Sequence, residues 1–261
     1  MGTGYITQYI DVAQITLYVF WIFFAGLIWY IRQEDRREGY PLEHDVTGDY
    51  NKDPWLFLPA PKKFVLPHDG GTVLAPDPAH RDERPIAAER TAGFNGAALK
   101  PTGNPMLDGV GPGAWCERAD HPDLAADGKA LIVPMSTAPD FSIAEGDPDP
   151  RGMAVIGLDN ESGGTITDVW VDRAEQMIRY YEVEASGGRT VLLPNNFCRL
   201  GKLPRSGDRV MHVKSITAAQ FADVPAHAAP DRVTLLEEDK IMAYYGGGTL
   251  YAVPGRQEPL L

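Results

Sequence analysis

Four carboxylates, Asp168, Asp172, Glu175 and Glu182, are set among Val, Trp, Ile and Tyr in the run TDVWVDRAEQMIRYYEV, from Thr167 to Val183. The run reads as two strands and a turn. Strand alternation puts Ile166, Asp168, Trp170 and Asp172 on one face, and Thr167, Val169 and Val171 on the other. A carboxylate against an apolar face holds its proton more tightly and becomes a proton carrier near neutral pH. Charges in short strands are more often solvated. On pattern alone, a solvated strand end and turn is the preferred reading, with Glu175 and Gln176 simply exposed.

Other chemistry is poorly supported. The histidines at 44, 68, 80, 121, 212 and 227 show no HxH or HExxH spacing, and Cys116 and Cys198 form no CxxC or Cys/His motif. Gly246–Gly248 lacks the following helix and Lys of a phosphate loop, so it reads as a helix stop. GDPDPRG does not follow the alternating ligand pattern of a calcium loop. No GxSxG and no triad can be assembled, which leaves an enzyme weakly supported. A net charge of −12 without a basic patch argues against nucleic acid as a partner.

The elements that must position the carboxylates begin with VAQITLYVFWIFFAGLIWYI, Val12 to Ile31, which is 20 residues without a charge. As a helix it reaches about 30 Å, enough to span a bilayer core. No basic residue precedes Arg32, and bulky IWYI precedes the charges, so a retained anchor is expected rather than a cleaved signal. Arg32, Arg36 and Arg37 follow the helix, which places the C-terminal part in the cytoplasm and the first 11 residues on the opposite side. Tyr5 and Tyr9 on one side, with Trp29, Tyr30, Arg32 and Tyr40 on the other, are candidates for the membrane interface. The span has no His, Cys, Asp or Glu, hence no strong axial ligand for a macrocycle and no proton carrier.

Sixteen of the 22 prolines fall between Pro41 and Pro150, too many for long helices or central strands. Apolar residues such as Trp55, Leu56, Phe57, Phe64, Val65 and Leu66 recur between them, so residues 32–150 read as extended chain on a surface, with a hairpin around PHDGGTV. From about residue 151, MAVIGLD, GGTITDVWVD, MIRYYEVEA, RTVLLP and RVMHVKSI read as five short strands of a small antiparallel sheet or barrel. TAAQFADVP reads as a helical turn with a Thr cap. TLLEEDKIMAYYGGG reads as a helix from about Glu237, ended by its glycines.

REGYPLE, FVLPHDGGTV, PTGNPMLDGVGPGAW, VWVDRAEQM and TLLEEDKIMAYYGGGTLYA, in this order after one N-terminal span, resemble the H subunit of the purple-bacterial photosynthetic reaction centre over nearly the whole chain. The resemblance implies a single transmembrane helix, an extended Pro/Gly-rich segment, and a mainly-β cytoplasmic domain built on a small PRC-type barrel with a short C-terminal helix. It implies the intracytoplasmic (chromatophore) inner membrane, with the N-terminus periplasmic. The implied partners are the L and M subunits and membrane lipids, with a cytochrome subunit and a light-harvesting antenna as further candidates. No cofactor is implied on this chain; bacteriochlorophyll, bacteriopheophytin, quinones, non-haem iron and carotenoid are implied on the partners. The implied role is to cap L and M and to assist proton delivery to the secondary quinone. Glu175 is then the acid nearest the quinone pocket, with Asp172 beside it, Arg179 as charge partner and His68 near the watery part of the route.

One stretch departs from the family. Some members carry a pair of surface histidines near LAADGKALIVP, where protons enter, whereas this chain has Asp127 and Lys129 there. Asp120, His121, Asp123 and Asp127 are the candidates in their place. The alternative is a membrane-tethered PRC-barrel adaptor without a photochemical role, which need not carry the strings that flank the barrel.

Overall fold

The computed structural model describes residues 4, 6–7, 10–44, 46–49, 58–77, 82 and 84–257. Tyr5, Tyr9, Trp55–Phe57 and His80 lie outside the described residues. The chain divides into two compact units, Met1–Glu83 with Gly93–Gly96, and Arg84–Ala92 with Ala97–Leu261.

In the first unit, helix α1 (Val12–Glu34) starts where the Asp11 carboxylate accepts the Gln14 N–H at 2.7 Å, one of the donors a helix start leaves free. Its apolar side chains are exposed all round, and it is long and apolar enough to cross a membrane. It runs past the expected end at Ile31 because Arg32, Gln33 and Glu34 are good helix formers with polar ends. A 3₁₀ turn (Asp35–Arg37) follows. Strands β1 (Lys62–Val65) and β2 (Thr72–Ala75) form the expected hairpin, paired from Lys62↔Ala75 to Val65↔Thr72. Arg37 ties it to the helix end, donating to the Glu34 carboxylate and to the carbonyls of Ala60 and Ala75 at 2.8 and 2.9 Å. Trp29 and Tyr30 are exposed, the Lys62 ammonium lies 5.9 Å from the Tyr30 ring, Arg36 lies 5.2 Å from the Tyr40 ring, and Arg32 pairs with Asp35 at 3.3 Å.

The second unit opens with a two-stranded piece, β3 (Ala88–Arg90) and β4 (Leu99–Pro101), and a one-turn helix, α2 (Pro105–Asp108), capped by Asn104. Its main sheet has seven strands: β5 (Ile132–Pro134), β6 (Ala154–Ile156), β7 (Ser162–Asp172), β8 (Met177–Ala185), β9 (Thr190–Pro194), β10 (Cys198–Lys202) and β11 (Arg209–Val213). The pairing order is β10-β11-β6-β7-β8-β9, with β5 on β7. β9 and β10 stand at opposite ends of this order, yet only Asn195–Phe197 joins them. That link spans at most about 14 Å, whereas six strands laid flat put their outer members roughly 24 Å apart. The sheet must curl towards closure, as a small barrel does.

Trp170, Val155, Val169, Val183, Val191, Leu192, Leu193 and Ile216 fill the interior. Helix α3 (Leu235–Tyr251) covers it with Ile241, Tyr244 and Tyr245. α3 begins at a capping box: Thr234 accepts the Glu237 N–H at 3.1 Å and the Glu237 carboxylate accepts the Thr234 N–H at 2.8 Å. The five expected strands are present. β5 and β10 are additional, the first only three residues long and ending in Pro134, the second an edge strand, CRLGK, without alternation.

Two expectations about the second unit also fail. The three glycines do not stop α3; they lie inside it. A Cβ on Gly246 would stand 2.9 Å from the Pro112 carbonyl oxygen, and one on Gly248 would stand 2.5 Å from that of Ser215. The glycines let the helix approach neighbouring backbone, and that close packing outweighs their poor helix propensity. The second concerns the turn at TAAQFADVP, which is 3₁₀ (Ala219–Asp223) and is not capped by the Thr217 side chain. Instead the Thr217 N–H donates to the Gln220 side-chain oxygen at 2.9 Å.

Candidate functional site

The β7–β8 hairpin departs from simple alternation. Its register shifts between Ile166 and Asp168 and again between Trp170 and Val171, and every residue from Asp168 to Asp172 is buried. Each shift re-aims the side chains that follow it, so the two-face division expected from the sequence does not hold along the strand. β5 closes over its end, with Ile132 opposite Asp172 and the Arg173 N–H donating to the Leu131 carbonyl at 3.0 Å. The last residue of β7 is thereby covered rather than solvated.

The four acids separate into two kinds. Asp168 accepts the N–H groups of Val169 and Ser136 at 2.8 and 3.3 Å, fastening β7 to the turn after β5. Glu182 accepts the Trp170 indole N–H at 3.1 Å and the Thr167 hydroxyl at 2.9 Å, which satisfies the one polar atom of the core tryptophan. These two are structural acceptors.

Asp172 and Glu175 instead share a cation. Asp172 is 2% exposed, and one of its carboxylate oxygens accepts the N–H groups of Ala174 and Glu175, each at 2.9 Å. Its other oxygen lies 4.0 Å from the Arg179 guanidinium, which also lies 3.9 Å from the exposed Glu175 carboxylate. These separations are too long for direct hydrogen bonds but short enough for the charges to feel one another. The turn thus juxtaposes a fixed buried carboxylate, a guanidinium and an exposed surface carboxylate. Such a set can hold negative charge near a partner and pass protons to and from it.

A further acid went unnoticed in the sequence. Glu238, 9% exposed, accepts the Tyr180 hydroxyl at 2.6 Å. Burial holds the Glu238 carboxyl above its ordinary range against the opposing pull of the Tyr180 hydrogen bond, Arg179 and Arg118. Burial also raises the Tyr180 phenol, and the neighbouring carboxylate adds to this. Glu238, Tyr180, Arg179 and Arg118 line one cleft of about 390 Å³. Arg179 therefore stands between the Asp172/Glu175 pair and a second, protonatable carboxyl. In LLEEDK, Glu238 looks like any acid in a first helical turn; only its contact with Tyr180, 58 residues away, marks it.

The residues expected where protons enter are dispersed in role. Asp127 pairs with Arg173, which also donates to the Ala130 carbonyl at 3.1 Å. The hydrogen bond from Arg173, then that from the Lys129 N–H, holds the Asp127 carboxyl down at about 2, so it stays ionised at neutral pH. Asp120 accepts the Thr234 hydroxyl at 2.8 Å, Asp123 accepts the Leu124 N–H at 2.9 Å, and the His121 ring contacts the Pro122 carbonyl at 3.1 Å. Of the four, Asp127 alone is drawn to the β7–β8 turn, through Arg173. His68 belongs to the first unit, where it sits in the hairpin turn with φ at 54°. Among the described residues, no group of three or more His, Cys, Asp or Glu side chains could hold a metal ion.

Comparison with known families adds two matches. Residues 4–137, more than half of the chain, match the family model described as photosynthetic reaction centre, H-chain N-terminal region. Residues 143–220 match the PRC-barrel domain. The second match covers β6 to β11, the curled sheet described above.

Proposed function

The chain belongs to the photosynthetic reaction-centre H-chain family, and from that membership we propose that it caps the L and M subunits on their cytoplasmic face, stabilises the complex and assists proton delivery to the secondary quinone. On this reading it is a non-enzymatic subunit anchored by α1, with residues before Val12 periplasmic and those after Ile31 cytoplasmic. Residues 32–150 then form the membrane-surface segment and 151–261 the barrel domain. The span Val12–Ile31 has no His, Cys, Asp or Glu to serve as a strong axial ligand, and bacteriochlorophyll, bacteriopheophytin, quinones, carotenoid and non-haem iron would be held by partner subunits. When bound there, the pigments and quinones supply the light-driven charge separation and the quinone reduction. A cytochrome subunit and a light-harvesting antenna are further proposed neighbours. Trp29, Tyr30, Arg32 and Tyr40 would meet lipid at the interface.

The observation that carries the proton role is Arg179 shared between buried Asp172 and exposed Glu175. A quinone reduced twice in a buried pocket must take up two protons, and carboxylates at the pocket mouth supply both a relay and a favourable potential for protons. Glu175 would exchange protons with the pocket, Asp172 would stand behind it, and Arg179 would couple the two. His68 would stand nearer the watery part of the route. Asp120, His121 and Asp123 remain the proposed first acceptors, and Asp127, the fourth residue proposed at the entry, would act through its charge rather than by carrying a proton. A tethered adaptor explains the barrel match but not the H-chain match over residues 4–137.

The test is flash-induced kinetics of the second electron transfer in the native complex, followed against pH. Glu175→Gln and Asp172→Asn are each expected to slow it while leaving primary charge separation unchanged. The double variant should fall short of the product of the two effects, because both acids act through Arg179. Unaltered rates and pH profiles in all three variants would return these residues to a structural role.

A further inference from the structure

On the edge hairpin β10–β11, away from the carboxylate turn, the charge reverses. Arg199 and His212 are direct cross-strand partners, and Lys214 follows immediately after the end of β11. The Arg256 guanidinium joins them, donating to the carbonyls of Lys214 at 2.7 Å and Gly248 at 3.2 Å. Together with Phe197 and Cys198 they line a cavity of about 530 Å³ whose lining includes no Asp or Glu. No carboxylate pairs with Arg199, Lys214 or Arg256 among the described residues.

This grouping needs an explanation in a chain of net charge −12. Arg199, Lys214 and Arg256 gather like charge around one cavity, and an acidic protein has carboxylates to spare for neutralising them. Part of the arrangement is structural: Arg256 caps the last carbonyls of α3. That role accounts for neither Arg199, His212 nor Lys214. The buried Ser215, which lines the same cavity, has a hydroxyl without a hydrogen-bond partner, and such groups are rarely left so. Thiol chemistry is not the explanation, since burial pushes the Cys198 thiol up to about 12.

We propose that the cavity between the β10–β11 hairpin and the C-terminal end of α3 is a binding site for a phosphate-type oxyanion, with Arg199 and Lys214 as its principal ligands and Arg256 and His212 as supporting donors. Guanidinium and ammonium groups converging on a concave surface match the charge and the many acceptor oxygens of a phosphate group. The volume leaves room for whatever carries the phosphate. The chemistry is shared by a soluble phosphate and by a lipid headgroup. It is independent of the proton route.

The experiment uses the full-length chain in non-ionic detergent, titrated at constant ionic strength while phosphorus NMR line widths are followed. One arm adds inorganic phosphate; the other adds phosphatidylglycerol to the micelles. Saturable binding is expected, weakened about tenfold or more in Arg199→Gln/Lys214→Gln, since two charge-assisted contacts are lost. Lys202→Gln/Arg205→Gln removes the same charge from the same hairpin outside the cavity and should bind as the unmodified chain does. Saturation in the first arm assigns a soluble phosphate; saturation in the second alone assigns a lipid headgroup. Absence of saturable binding in both arms overturns the proposal, as does equal behaviour of the two double variants.

Discussion

Replacing Tyr180 with Phe removes one hydroxyl, and with it the only hydrogen bond that the described residues give the buried Glu238 carboxyl. The cost depends on the state of the acid. Where Glu238 is ionised, the lost bond is one to a charged group, about 1.5–3 kcal/mol; where it is protonated, the bond is neutral and the loss is about 0.5–1.5 kcal/mol. Burial holds the Glu238 carboxyl above the ordinary carboxylate range in the folded chain. The native state therefore keeps its proton to higher pH than the unfolded state. This contribution to stability is fully present below the unfolded pKa and is lost as pH rises through the folded one. Tyr180→Phe would raise that folded pKa further, so the variant should lose stability with rising pH more steeply than the parent. The expected difference between them grows by about 1 kcal/mol across the transition. Urea unfolding of the full-length chain in detergent, followed by tryptophan fluorescence at a series of pH values, measures it. Tyr244→Phe is the control. Its hydroxyl donates at 2.8 Å to the neutral Gln220 carbonyl, so its loss of about 1 kcal/mol should be flat with pH. A flat difference for Tyr180→Phe as well would refute the assignment of Glu238 as a titrating buried acid.

Gly248→Ala should destabilise the chain by about 1–3 kcal/mol through the collision with the Ser215 carbonyl, although Ala is the better helix former by about 1 kcal/mol. A rise in the urea midpoint would show that propensity wins there. For Asp127, the hydrogen bonds that hold its carboxyl at about 2 stabilise the folded chain above the ordinary carboxylate pKa, and that contribution is lost as pH falls towards the lowered value. Asp127→Asn should therefore flatten the acid limb of the stability profile and leave the limb above neutrality unchanged; an altered alkaline limb alone would contradict the pairing.

Much of this could be read from residue order because it depends on local signals. The uncharged span, the turn residues around His68 and Asp69, and Thr234 with Glu237 each announce an element within a few residues. The larger failures have distant causes. The triple glycine has the composition of a stop, and only the approach of Pro112, Gly113 and Ser215 shows why a helix continues through it. Alternation in TITDVWVD breaks because pairing with β8 shifts register twice. Asp172 reads as solvated because nothing nearby in sequence reveals that Ile132 lies across from it. Glu238 is hidden for the same reason, its partner being on another element.

The strand that shelters Asp172 comes from outside the barrel module. β5, at Ile132–Pro134, falls within the span of the H-chain match, whereas β7 falls within that of the barrel match. The seam between two inherited modules thus runs through the sheet itself. A barrel without that borrowed strand would leave the end of β7 open to water, and an acid there would be one more surface charge. Three residues from a neighbouring module cover a carboxylate without altering the strand that carries it. The surroundings of that carboxylate are therefore set by the join rather than by either part alone.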